Sequence, residues 1–163
     1  MTAHLARTRH IDPDLDLTIH RVIRAPKKAI WSAWTDPEKL AKWWIPEPLT
    51  LRVEALELRP GGALTTVMSE DGESFVPHVD AVFLVIEDSS RLVFTNAVNS
   101  SWHPAFPDPV SMTTEIIVGD HADGTDYQAI VRHGSPEQRA RHEELGFFDG
   151  WGTVTEQLAL SVE

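Results

Sequence analysis

The sequence predicts an α+β fold: a curved antiparallel sheet of about seven strands gripping a long C-terminal helix, with two short helices at one end. Two observations carry that expectation. Aromatic-rich helical segments at 35–44, with Trp43 and Trp44, and at 141–153, with Phe147 and Trp151, bracket a series of short strand-like runs. Strands with one apolar face must bury it, and only the terminal helix is large enough to cover them. Two helical segments closing on a sheet also suggest an apolar hollow between them.

The elements follow in order. Residues 1–14 read as a polar arm that ends in the turn Asp12-Pro13-Asp14, and residues 15–163 as one domain. Leu15, Leu17, Ile19 and Arg21 alternate with Asp16, Thr18, His20 and Val22, the period of a strand. Pro26 stands at the first position of a helix, where its missing N–H costs nothing, and Ile30, Trp31 and Trp34 form the apolar stripe. Asp36 caps a second helix, with Leu40, Trp43 and Trp44 on its buried face.

A meander comes next, with strands at 49–58, 63–69, 75–86 and 91–98. They are divided by Arg59-Pro60-Gly61-Gly62, Glu70-Asp71-Gly72 and Glu87-Asp88-Ser89-Ser90. Pro104, Pro107 and Pro109 make 99–109 a long loop, a length typical of lids and binding elements. Segments 112–118 and 125–133 form the last hairpin around Asp123-Gly124. Ser135 caps, and Pro136 opens, one helix running to Val162. A 100° step puts Glu144, Phe147, Trp151, Val154, Leu158 and Val162 on its buried stripe, with His142 and Asp149 opposite. Gly146, Gly150 and Gly152 each weaken the helix by up to about 1 kcal/mol and suit a bend or a close approach to the sheet.

Composition excludes several classes of function. A formal charge of −11 repels nucleic acid and anionic membrane. Arg7, Arg9, Arg24, Lys27 and Lys28 are too scattered to form a basic patch. With no cysteine, disulfides, thiolate nucleophiles and cysteine-bound metals are ruled out. No apolar run has the length of a membrane span and residues 1–16 lack the core of a signal peptide, so the expected location is cytoplasmic.

Several motifs together resemble a known family. They are Ala25-Pro26 with Ile30-Trp31, Thr35-Asp36-Pro37 with Trp43-Trp44, and Arg59-Pro60-Gly61-Gly62. Leu92-Val93-Phe94-Thr95 and His142-Glu143-Glu144 with Gly150-Trp151-Gly152 and Gln157-Leu158 complete the set. Over residues 15–162 the chain resembles the helix-grip superfamily of START domains, birch-pollen-allergen-like proteins and polyketide cyclases. Within it the chain is most similar to stand-alone bacterial proteins named after the C-terminal domain of the heat-shock-protein-90 ATPase activator. The resemblance implies the helix-grip fold and an enclosed hollow.

The favoured function is binding of a small apolar or amphipathic ligand between sheet and final helix, by a monomer or homodimer. Candidate cavity residues are Trp43, Trp44, Phe94, Trp102, His103, Met112, Glu144, Phe147 and Trp151. For Trp43, Trp44 and Trp102 the plainer reading is core or lid packing. Glu144, beside an apolar hollow, would have a raised pKa suited to acid–base work; the alternative is a solvated or arginine-paired carboxylate. A cyclase, lyase or hydrolase would need two such groups converging, for instance Glu144 and His103. A chaperone-associated interaction module would use the surface instead.

Trp102, His103 and Phe106 make the proline-rich loop a candidate lid; the plain reading is a surface loop covering a sheet edge. No cofactor is expected. No metal is expected either: the eight histidines show no His-x-His or His-x3-His spacing on one element, and His133 reads as a hydrogen-bonded structural residue. Serine-hydrolase and phosphate-loop motifs are missing.

Overall fold

The computed structural model describes residues 10–163; residues 1–9 of the expected arm lie outside the described residues. The element order is β1 (Asp16–Ile23), α1 (Lys27–Thr35), α2 (Pro37–Trp43), β2 (Thr50–Leu56), β3 (Ala63–Ser69), β4 (Val76–Glu87), β5 (Arg91–Thr95), β6 (Thr113–His121), β7 (Gly124–Arg132), α3 (Pro136–Glu144) and α4 (Phe147–Val162). Seven strands form one antiparallel sheet in the order β1-β7-β6-β5-β4-β3-β2, so the first strand pairs with the last and β1 and β2 are the edges. No helix among the described residues is long and apolar enough to cross a membrane.

The inner face alternates as a half-buried strand must. Leu64, Ala81, Phe83, Leu92, Phe94, Ile116, Val118, Tyr127 and Ala129 project from it into one apolar cluster with α1, α2 and α4. Trp34 and Trp43 fill the end of this cluster, ring centroids 4.8 Å apart and edge to face. Each indole finds a partner, as buried Trp requires: Trp34 Nε1 donates to the Tyr127 hydroxyl at 3.1 Å, and Trp43 Nε1 to the Ala33 carbonyl at 3.0 Å. On the outer face Glu115 is buried between Arg91 and Arg132, at 3.1 and 2.8 Å.

The first two helices start as their residues dictate. Asp36 caps α2, its carboxylate accepting from the backbone N–H of Glu38 at 2.9 Å. Pro26 is extended, with φ −70° and ψ 155°, and precedes α1 instead of forming its first turn. Its fixed φ suits either place.

The C-terminal helix departs from expectation. It is two helices, not one, divided by Gly146 at φ 96° and ψ 37°. That left-handed conformation ends α3 as glycine commonly does, and restarts the chain in a new direction. The periodicity counted across the break therefore loses its meaning. Phe147, Val154 and Leu158 are buried and Trp151 half-buried, but Glu144 belongs to α3 and is exposed.

Candidate functional site

A second apolar cluster, Leu17, Val131 and Phe147, lies beside the main one, and Trp151 packs against both. Between α4, the end of α2 and the sheet is a cavity of about 170 Å³. Its wall is Trp44, Pro46, His78, Val79, Met112 and the α4 residues Gly150, Trp151 and Val154. Wider concavities exist, such as one of about 550 Å³ between Phe106, Pro109 and Arg141, and the hollow under α4 is itself open to solvent. The hollow under α4 takes Trp44 and Val154 from the main core cluster and Met112 and Trp151 from the residues packed on the second. Its volume is that of a site for a single ring; an apolar cavity of about 150 Å³ holds benzene.

One side chain holds the wall formed by the residues after α2. Gln157 Nε2 donates to the carbonyls of Trp43 and Ile45 at 2.8 and 2.7 Å, while its Oε1 accepts from the Glu47 N–H at 2.9 Å. These are helix-end carbonyls that would otherwise lack partners. Trp44 is thereby fixed with its ring edge to face against Phe94 and His78, at 5.7 and 5.8 Å. On the opposite side Gly150 widens the hollow: a Cβ placed there would meet no atom within 4 Å. Gly152 is equally open, so these glycines do not serve a close approach of helix to sheet.

His78 is the titratable group in this wall. The register pairs Thr66 with Val79 and Val67 with Pro77, so His78 is the extra residue of a β-bulge. Simple alternation with Val79, Ala81 and Phe83 would turn it outward, and the bulge turns it in. Its Nδ1 lies 2.8 Å from the hydroxyl of buried Thr66. Loss of solvent lowers its pKa to about 4, and the imidazole is neutral at pH 7.

The expected site residues separate into three groups. Trp44, Met112 and Trp151 line the cavity. Trp43, Phe94 and Phe147 are buried behind it, packing against Trp34, Trp44 and Trp151 respectively. Trp102, His103 and Glu144 are exposed and away from it.

The loop owes its course to its own hydrogen bonds. Asn99 Oδ1 accepts from the N–H groups of Ser101 and His103 at 3.0 and 3.1 Å, and Trp102 adopts φ 64°. The Trp102 indole then lies on Gly61 and donates to its carbonyl at 2.9 Å. It covers the turn after β2 and does not close the cavity. Glu144 is displaced by the break at Gly146. The proposed pair of Glu144 and His103 does not converge.

His78, Thr66 and Gln157 were missed by sequence reasoning. A bulge and a side chain reaching 110 residues to Glu47 leave no periodic signal.

His133 and His142 form a separate pair behind Phe147. His133 Nδ1 sits 2.8 Å from the Leu15 carbonyl, which can only accept, so Nδ1 carries the hydrogen. His133 Nε2 then accepts from His142 Nδ1 at 2.8 Å in the neutral pair. Burial lowers both pKa values, that of His142 to about 4 with help from His133. His142 was expected opposite the buried stripe; the helix break instead sets it edge to face on Phe147 at 5.1 Å. Among the described residues, no three acidic, His or Cys side chains gather as metal ligands.

Residues 24–163 match the family model described as activator of Hsp90 ATPase homolog 1-like protein. The chain belongs to that family. A crystal structure of protein NE0264 from Nitrosomonas europaea is similar at 37% identity and TM-score 0.85, over 94% of this chain and 97% of that one. Protein CV1439 from Chromobacterium violaceum is similar at 26% identity and TM-score 0.70, over 91% and 98%. The AHSA1-like protein from Aeromonas hydrophila shares the fold at 19% identity and TM-score 0.63, over 90% and 91%. No curated protein matches the chain. As a family member it has the helix-grip architecture: seven antiparallel strands, short helices and the C-terminal helix packed on the sheet.

Proposed function

We propose that this family member binds a small apolar molecule in the hollow beneath α4. The observation that carries the reading is the composition of the wall: seven apolar or glycine residues and one neutral imidazole around about 170 Å³. Apolar hollows with few polar groups are the usual form of a small-molecule site. The volume favours a ligand of one ring over a lipid or a fused polycycle.

Acid–base catalysis is less well supported, because it needs two converging groups and His78 is the one titratable side chain in the wall. The interaction-module reading rests on exposed Leu145 and Phe148 near the helix break. Nothing about these two side chains indicates a partner.

Titration with ethylbenzene tests the binding reading. Trp44 and Trp151 line the hollow, so saturable quenching of tryptophan fluorescence is expected, with a rise in Tm from binding to the native state alone. Gly150→Leu, which fills the space, should abolish both effects. An unsaturable signal, or one that survives Gly150→Leu, would refute it.

A further inference from the structure

The hydrogen bond behind His78 bears on which kind of polar group the cavity would accept. Thr66 is buried, and among the described residues its hydroxyl has one partner, His78 Nδ1 at 2.8 Å. If Nδ1–H donated to this oxygen, the threonine hydrogen would be left in a buried site without an acceptor. Orphaned buried donors are costly, whereas an oxygen with an unused lone pair is not. The hydroxyl therefore donates to Nδ1, and the neutral ring carries its hydrogen on Nε2. Among the described residues Nε2 has no protein partner, but it is not a buried orphan: the ring lines the open cavity, where water or a ligand can accept its hydrogen.

Building on the binding reading, we infer that the cavity selects a neutral single-ring molecule bearing an acceptor oxygen, such as an aryl ketone or aldehyde, held by His78 Nε2–H. The remaining wall is Trp44, Pro46, Val79, Met112, Trp151 and Val154 with Gly150. It supplies no charge, so a carboxylate would lose its hydration without a counter-ion. A hydrocarbon would leave the imidazole N–H unpaired. A phenol would meet a donor with a donor, apart from its weakly accepting oxygen. Ketone and aldehyde oxygens satisfy the site without cost on either side. The bulge gives the arrangement its purpose: in a regular strand His78 would face outward, and Thr66 would lose its acceptor.

The test compares acetophenone with α-methylstyrene, in which a CH₂ group replaces the carbonyl oxygen at nearly constant shape. Dissociation constants are measured for the wild type, His78→Phe and Thr66→Val, and imidazole ¹⁵N spectra of the wild type report the tautomer. The wild-type preference for acetophenone should fall about tenfold in His78→Phe, the size of one hydrogen bond, and by less in Thr66→Val, where the tautomer is released. The spectra should show the Nε2–H form, sharpening its shift when acetophenone is added. A preference unchanged in both variants, or a resting Nδ1–H tautomer, overturns the inference while leaving ligand binding intact. If α-methylstyrene and acetophenone both fail to bind the wild type, the cavity reading falls and this inference with it. The tautomer measurement needs no variant, so it decides the point even where His78→Phe does not fold.

Discussion

Gln157 Nε2 donates to the Trp43 carbonyl at 2.8 Å, tying the middle of α4 to the end of α2 across 114 residues. The same amide also holds Ile45 and Glu47, so one side chain closes three backbone groups beside the cavity. Gln157→Leu leaves them unpartnered in a half-buried place. The expected loss is about 2 kcal/mol in urea unfolding, taking roughly 0.5–1.5 kcal/mol for each hydrogen bond with partial rescue by water. Trp44 should become more accessible to acrylamide quenching. A loss below about 0.5 kcal/mol with unchanged quenching would refute the clamp.

Two glycines four residues apart should respond to alanine in opposite directions. Gly146 sits at φ 96°, where a Cβ is disfavoured by about 1–2 kcal/mol. Gly146→Ala should therefore destabilise by about that amount, although the space around it is open. Gly150 is inside α4 and also open, so Gly150→Ala should stabilise by about 0.5–1 kcal/mol through helix propensity. Thermal unfolding of both variants checks the pair. Stabilisation by both would mean that α3 and α4 are one continuous helix, and destabilisation by both would mean that Gly150 is not in an open helical position.

Glu115 is an ion in a buried place, held by Arg91 and Arg132 on the outer face of the sheet. Removing Glu115 strands the charge of Arg132, while Arg91 keeps its pair with Glu87. Glu115→Ala should cost about 3–5 kcal/mol, far more than an exposed pair such as Arg52–Glu54. Chemical denaturation of Glu115→Ala and Glu54→Ala compares them directly. Equal losses would show that solvent reaches Glu115 freely.

The depressed histidines make stability depend on pH. His78 and His142 have folded pKa values of about 4 against an ordinary 6.5, and burial lowers His133 as well. The native state prefers the neutral rings, and below pH 6.5 the unfolded chain takes up protons that the folded one refuses. Stability is thus complete above about pH 6.5 and falls towards pH 4, by at most about 1.4 kcal/mol per pH unit for each ring. Solvent reduces that slope for half-buried His142. Urea midpoints between pH 7.5 and 4.5 should fall, and His142→Gln should fall less steeply. A flat profile, or a rise on acidification, would contradict the burial of these rings.

The order of elements and the core were legible in the sequence because they rest on local signals. Asp36 before Pro37 marks a helix start wherever it occurs, Arg59-Pro60-Gly61-Gly62 is a turn whatever surrounds it, and strand alternation reports which residues face the helix. Trp44, Met112 and Trp151 were readable as large apolar side chains near the helix–sheet seam, and the structure sets all three in the cavity wall. The rest depended on events that periodicity does not record. A left-handed φ at Gly146 reset the helix register and moved Glu144 to the surface. Asn99 turned its loop so that Trp102 fell on Gly61 instead of over the hollow. One extra residue in β4 turned His78 inward onto Thr66, because a bulge reverses the face of a side chain without changing its neighbours in sequence. Local chemistry determined the scaffold; the polar chemistry of the cavity was decided only where distant strands and helices met.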